Sequence, residues 1–537
     1  MATSVESAAP VRSGTPYRVE ITPFKNEPFL DFTRAENQRK MKDAIAKVRS
    51  QLGRDYDLII GGERFKTAKK FTSINPSNPS EIIGTFPSAG VEDVPAAMAA
   101  ALKAFETWSK VPVEDRAQLL LRVAATIRER KFEWAAWMVL EVGKNWAEAD
   151  ADVGETIDFA EFYAREALRL SQAETPIQLP GEKDMLRYIP LGVGAVIPPW
   201  NFPSAIMAGM TLASIVCGNT VVLKPSHDSP AIAAKFVEVL EECGMPEGVV
   251  NLCTGGGSTF GQALVEHPKV RFIAFTGSKE VGLNVNKTAA DTKPGQIWIK
   301  RTVLEMGGKD AILVDADSDL DAAVDGVVAA AFGFQGQKCS ACSRAIIDER
   351  VYDKFVDRVR SKVEKLTVGP AETNPNLGPV VNESSYKKIQ EYIKTAISEG
   401  GRLIAGGGPA TDAGDGYFLK PTVIADVAPT GTIAQEEIFG PVLAIIKCKN
   451  FDDGLAIANN TEFGLTGAAY TSSEDKIAKA METFHVGNLY INRKCTGAMV
   501  GAHPFGGFNM SGTDSKAGGP DYLYLFTQAK SIARKIT

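Results

Sequence analysis

The chain has 537 residues, 44% of them hydrophobic and 23% charged, with a formal net charge of −6 and a pI near 5.6. That length exceeds what one hydrophobic core serves and predicts two or three domains. The balance excludes a disordered chain, and a mildly acidic surface is a poor counterion for nucleic acid, so no nucleic-acid partner is expected.

In chain order, MATSVESAAPVRSGTPYRVE carries no apolar signal core, so secretion is not expected. Residues 1–53 read as an irregular arm followed by a charged helix, RAENQRKMKDAIAKVRSQL, with a solvated face. YDLIIGGERF predicts a hairpin around Gly61 and Gly62. From Val91 to about Leu170 apolar residues recur at three and four spacing in three long helical stretches, 93–110, 114–143 and 147–170. Tyr188 to Leu223 contains no charged residue, but Pro190, Pro198, Pro199 and Pro203 interrupt it. Its continuous apolar part, Ser204 to Cys217, is about 14 residues, too short for a bilayer, and reads as buried core.

Short β-type runs then alternate with helices. VGAVIPP, NTVVLKP, VVNLCTG and VRFIAFTGS are strands, separated by PAIAAKFVEVLEECG, which ends at Gly244, and GSTFGQALVEH. This alternation predicts a parallel, doubly wound sheet with a nucleotide site between about 190 and 300. A second unit follows, with strands AILVDA, SRAIIDE, PVLAIIKCK and GLTGAAYTS and helices DLDAAVDGVVAAAFGF and VYDKFVDRVRSKVEKL.

The seven cysteines are an odd, sparse set, which does not read as a disulfide framework and predicts a reducing compartment, the cytoplasm. Cys339 and Cys342 stand three apart in GFQGQKCSACSR. A zinc site needs a second Cys or His pair, yet no other C-x-x-C occurs and the four histidines are scattered; no metal is expected. A redox pair belongs on a helix after the first strand of a small βαβ domain, not after a long helix in a second unit. Two readings of the pair stay open on these grounds: one nucleophile, or two inert buried thiols. Asn201, between prolines in an uncharged run, either satisfies a turn or donates to an oxyanion. Glu305 and Glu437 each sit in apolar surroundings, as turn residues or, for Glu305, as a general base of raised pKa. TGGGSTFG and FTGSKEVG place glycines between a strand and a helix start, where backbone amides can meet a pyrophosphate.

Taken together, PPWNFP, VVLKPS, FTGSKEVG, LEMGGKDA, GQKCSA, QEEIFGPV and PFGGFNMSG, in this order from about Tyr56 to Phe526, resemble the aldehyde dehydrogenase superfamily. EVGKNWAEADADVGETIDF, FGFQGQKCSA and FHVGNLYINRKCTGAMVGAHPFGGF are similar to the branch that oxidises L-glutamate γ-semialdehyde to L-glutamate, the second step of proline catabolism. Another ω-semialdehyde or an aliphatic aldehyde is the alternative substrate. The resemblance implies an α/β fold of two doubly wound domains and a small β oligomerisation flap. It places an arm at 1–53, an NAD-binding domain at 54–171 and 191–300, a catalytic domain at 301–490, and the flap at 172–190 and 515–537. The flap would be a hairpin near 172–190 with a tail that adds a strand to a neighbour's sheet.

The resemblance also implies roles. Cys339 would be the thiol nucleophile, Asn201 the oxyanion donor and Glu305 the base that activates water. NAD would be held by Lys224, Pro225, His227, Gly257, Ser278 and Glu437, between walls formed by Trp200 and Phe439. The semialdehyde would be held by Ser340, Gly497, Ala498, Phe202, Phe505 and Glu155. Many NAD-preferring relatives carry Glu three residues after the strand lysine, where this chain has His227. Histidine lacks a carboxylate's paired acceptance, which predicts use of NADP as well, with NAD favoured. A homo-oligomer, no membrane association and a contact with a proline-oxidising enzyme complete the expectation.

Overall fold

The computed structural model describes residues 18–172 and 176–536. In the strands Ala311–Val314, Arg344–Asp348 and Val442–Cys448 every residue but Lys447 is buried. Strands covered on both faces need helices above and below, and a parallel sheet with crossover helices supplies them.

Two seven-stranded sheets form this way. The first runs Arg301–Glu305, Val270–Thr276, Val193–Ile197, Thr220–Leu223 and Val250–Leu252, all parallel, and ends on the antiparallel hairpin Leu58–Ile60 and Glu63–Phe65. The second runs Arg402–Ala405, Thr422–Ala425, Val442–Cys448, Arg344–Asp348, Ala311–Val314, Thr466–Tyr470 and Asn488–Ile491, antiparallel only at its first pair. Successive side chains point to opposite faces. Ile312, Ala345 and Leu443 accordingly enter one apolar cluster, and Leu313, Ile346 and Ala444 another. The first sheet is split alike, with Val196, Val221 and Phe272 on one side and Ala195, Val222 and Ile273 on the other.

The uncharged run becomes the strand Val193–Ile197, the buried helix Ala205–Val216 and the strand Thr220–Leu223. No helix among the described residues is long and apolar enough to cross a membrane. The charged helix forms at Ala35–Arg49, within the expected segment.

Two expectations need correction. The second helical stretch is two helices, Val113–Glu129 and Lys131–Val142, because Arg130 leaves helical geometry at φ −104 and ψ 19. Both helices bury their apolar faces in one cluster, so the spacing runs on across the break. Among the described residues of the segment 172–190, only Glu182–Pro190 is a strand, and it has no hairpin partner there. It pairs antiparallel with Thr527–Lys535 of the same chain, from Thr527↔Pro190 to Lys535↔Glu182. One edge of the tail is thus paired within its own chain, and the expected addition of a strand to a neighbour's sheet concerns its other edge. Alternation in a sequence marks a strand but does not say which edge it finds.

In open α/β sheets, ligands bind beyond the carboxyl ends of the strands. Asn201, Lys224, Gly257, Ser278 and Glu305 each lie at or just past such an end in the first sheet. Cys339 arrives from the second unit, in the loop between the helix Leu320–Phe332 and the strand Arg344–Asp348.

Candidate active site

The loop that carries Cys339 begins with a tight turn. Phe334, Gln335 and Gly336 have φ of 48, 56 and 66. For the two non-glycine residues this left-handed geometry costs roughly 1–3 kcal/mol each, and surrounding contacts must hold it. They do so here: Gln335 Nε2 donates to the carbonyls of Gly143 at 3.1 Å and Pro379 at 2.8 Å. Gln337 Oε1 accepts from the Val381 amide at 2.9 Å.

The turn delivers Cys339 to a cavity of about 420 Å³ whose walls include Glu305, Ser340, Gly497, Ala498, Phe202, Phe505 and Glu155. Cys342 faces elsewhere. It is 1% exposed, belongs to the core of the second sheet, and its thiol donates to the Arg344 carbonyl at 3.5 Å. All seven cysteines are free. The two thiols therefore occupy different surroundings, one a cavity and one a packed core.

Electrostatics in the cavity favour neutral forms. Burial, with the carboxyls of Glu305, Asp310 and Glu437, pushes the Cys339 thiol well above the usual range. Burial likewise raises Glu305 far above the carboxylate range; Lys516 and the Gly507 amide offset this only in part. Both Glu305 side-chain oxygens are buried and make no hydrogen bond of good geometry. A carboxyl so placed is poised to exchange a proton with a small molecule beside it. Asn201 is 3% exposed and lies outside the cavity lining; its Nδ2 donates to the Gln337 carbonyl at 3.1 Å, two residues before the thiol.

A second group of residues lies along the strand ends. Lys224 is 6% exposed, and its Nζ donates to the Pro225 carbonyl at 2.9 Å; burial lowers its pKa to about 8. An ammonium with one carbonyl partner retains two donors for a ligand's hydroxyls. Glu437 Oε1 accepts from the Gly308 amide at 3.0 Å, and burial lifts its pKa to about 7. A Cβ on Gly307 would stand 2.2 Å from Glu437 Oε2, so a side chain there would displace the carboxylate from this position. Trp200 and Phe439 meet edge to face at 5.4 Å, with Phe439 held at φ 61. Ser278 caps the helix Lys279–Ala290, and a Cβ at Gly257 would meet nothing within 4 Å. His227 stacks on Phe71 at 3.8 Å, and burial with the nearby Lys224 lowers its pKa, so the imidazole is neutral at pH 7. A buried lysine, a buried carboxylate, an aromatic wall and an open helix start fit a dinucleotide: hydroxyls for the two charged groups, a pyrophosphate for the amides.

On the other side of the thiol, Gly497 lies at φ 81, and Arg493 donates to the carbonyls of Thr496 at 3.1 Å and Gly497 at 3.2 Å. Phe505 is fixed by paired backbone bonds to Ala517 at 2.8 and 2.7 Å. Burial, together with Asp152, raises Glu155 to about 8. The motif reading overlooked several groups that meet here. Lys338 and Glu148 form an ion pair at 2.7 Å at the wall, Lys494 lies beside Gly497, and Phe29 comes from the N-terminal arm. Lys338 and Lys494 each stand next to a cysteine in basic stretches, GQKC and NRKC, and that adjacency was the available signal. Phe29 had none.

Comparison with known proteins agrees with this arrangement. Residues 64–532 match the family described as Aldehyde dehydrogenase family. A curated relative, the 1-pyrroline-5-carboxylate dehydrogenase of Geobacillus sp. (strain WCH70), is 55% identical over 514 residues, 96% of this chain and 99% of that protein. The crystal structure of 1-pyrroline-5-carboxylate dehydrogenase from Thermus with bound NAD superposes with a TM-score of 0.94 at 50% identity, covering 96% of this chain and all of that one. Proline utilization A from Bdellovibrio bacteriovorus also superposes at 0.94, with 44% identity over 96% of this chain but only 54% of its own.

Proposed function

The chain belongs to the aldehyde dehydrogenase family, and on that premise we propose that it oxidises L-glutamate γ-semialdehyde, the open form of Δ1-pyrroline-5-carboxylate, to L-glutamate with NAD. The observation that carries this reading is the single cavity that joins Cys339 and Glu305 to Ser340, Gly497 and Ala498 between Phe202 and Phe505. A thiol and a carboxyl supply the chemistry, small residues admit a substrate carboxylate close to backbone amides, and two rings enclose an aliphatic chain.

The reaction runs in this order. The cavity tolerates one negative charge, so Glu305 keeps its proton while Cys339 releases its own to solvent as the thiolate forms. The thiolate adds to the aldehyde carbon and closes a C–S bond, and the oxyanion takes a hydrogen bond from Asn201 Nδ2 and the Cys339 amide. Lys224, Ser278 and Glu437 would hold NAD, which would supply the hydride acceptor for this carbon. Collapse restores the carbonyl as a thioester on Cys339. Glu305, having released its proton to solvent, takes one from water; the hydroxide attacks, the C–S bond breaks with Cys339 leaving as a thiolate that regains a proton, and the acid leaves as glutamate, its own proton lost to solvent. The net change consumes aldehyde, NAD and water and yields carboxylate, NADH and two protons.

The test is NAD reduction by purified protein with pyrroline-5-carboxylate beside a panel of aliphatic aldehydes and other ω-semialdehydes. The reading stands if kcat/KM for pyrroline-5-carboxylate exceeds the rest by at least tenfold, and an equal or better aldehyde overturns it. Asn201→Ala is expected to lower kcat by ~10²–10³ with little change in NAD affinity, measured by steady-state kinetics and cofactor titration. NADP is expected to serve as cofactor within about a hundredfold of NAD, because neutral His227 neither pairs two ribose hydroxyls nor repels a 2′-phosphate as a carboxylate does; the ratio of kcat/KM for the two cofactors reads this.

The proposal includes a cytoplasmic homo-oligomer. Ile177, Leu179, Ile297 and Ile299 are exposed near the paired strands of the flap, and apolar groups so exposed mark a contact surface. Handover of substrate from a proline-oxidising enzyme belongs to the same proposal. Its support is the likeness to half of a longer protein named for proline utilization.

A further inference from the structure

The segment Glu141-Val142-Gly143-Lys144 ends one buried helix and begins none of the reactive loops, yet both loops touch it. Lys144 is wholly buried. Its Nζ donates to Asp152 Oδ2 at 2.8 Å, and Asp152 is equally buried. The same ammonium stands 4.1 Å from the ring centre of Phe202 and 4.7 Å from that of Phe334. Phe202 follows Asn201 directly and lines the cavity; Phe334 occupies the left-handed turn that leads to Cys339. One charge thus lies against an aromatic face from each loop.

Backbone contacts repeat the pattern. The Gly143 carbonyl accepts from Gln335 of the thiol loop. Asp152 Oδ1 accepts from the Ala205 amide at 2.7 Å, at the end of the Asn201 loop. Ser204, just before it, shares its hydroxyl with Trp134 Nε1 at 2.8 Å and Thr156 Oγ1 at 2.7 Å. Asp152, Glu148 and Glu155 are the carboxyls that Lys144 balances. A buried ion pair is an expensive way to gain stability, since an apolar pair of similar volume often does as well. Its position between the two loops points to geometry.

We propose that the Lys144–Asp152 pair is a positioning device, setting the Asn201 amide and the Phe202 ring in register with the Cys339 sulfur. It acts through those residues and touches no reacting atom. This rests on the assignment of Cys339 and Asn201 above.

A double-mutant cycle tests it in the full-length protein. Lys144→Met is expected to reduce kcat/KM for the aldehyde by ~10²-fold. The rate at which iodoacetamide alkylates Cys339, which needs no oxyanion donor, should change less than about fivefold. Combined with Asn201→Ala, it should cost no more than about threefold beyond Asn201→Ala alone, because both changes remove one function. Lys144→Arg, which keeps the charge and the stacking, should recover at least a tenth of wild-type activity. Should Lys144→Met fail to fold, the paired change Lys144→Met/Asp152→Asn, which leaves no lone buried charge, is read in its place. Multiplying losses in the cycle, or alkylation that falls in step with turnover, would overturn the proposal. If wild type itself turned over no semialdehyde, the functional reading would fail instead, so the two failures are separable.

Discussion

Cys339→Ala is expected to lower steady-state NADH formation at least ~10⁴-fold, while NAD binding and thermal stability stay near those of the wild type. The reason is arithmetic as well as chemistry. Without a C–S bond there is no tetrahedral adduct to collapse and no route to hydride loss from an aldehyde, whose carbon holds its hydrogen firmly until an oxyanion develops beside it. The residue is half-buried on a cavity wall, so a methyl group in place of the CH₂–SH costs little packing. Cys342→Ala provides the contrast: it sits in the core of the second sheet, so it should lower Tm modestly and leave kcat within about threefold. NADH production that survives the first change would remove the nucleophile from this account, and loss of turnover from the second alone would reassign it.

Glu305→Gln separates the two halves of the reaction. Glutamine fits the same space but accepts no proton from water, so acylation proceeds once and hydrolysis stalls. Rapid mixing should show a burst of about one NADH per active site, followed by a steady rate reduced ~10²–10⁴-fold. The acyl group should be retained on Cys339, visible as a mass increase on the intact chain. The pH dependence follows from the raised pKa of Glu305. Below that shifted value the carboxyl is protonated and idle; above it the base is available. The deacylation rate of the wild type should thus fall as pH drops through a midpoint well above the ordinary glutamate range, and the Glu305→Gln variant should lose that limb. A variant with no burst would instead place Glu305 before hydride transfer.

Much of the fold could be read from the chain because both sheets are buried on two sides. Strands such as AILV and VLAIIKC are continuous apolar runs, and the helices between them have their own spacing, so each element announces itself. Long-range pairing does not. Nothing in IPLGV or LYLFTQAK says that these two segments, far apart in the chain, lie side by side, and nothing at Arg130 says that one amphipathic stretch is two helices. The candidate cavity was legible where its residues were out of place locally: a carboxylate after an apolar strand, a cysteine among glycines. Phe29 has neighbours in sequence that look ordinary, and Lys144, though inside the marker EVGKNWAEADADVGETIDF, carries no local sign of its role; for both, what matters is what packs against them.

The pairing of Thr527–Lys535 with Glu182–Pro190 bears on how the protein is made. Arg301 donates to the carbonyls of Tyr524, Leu525 and Thr527, and Asn219 to that of Phe526, while the Ser511 carbonyl receives the amide of Met306 next to Glu305. Each of these contacts joins segments far apart in the chain, so the entropy of closing long loops places them late in folding. A substitution at Arg301 or Asn219 should therefore be felt in the rate at which the molecule closes as well as in its stability.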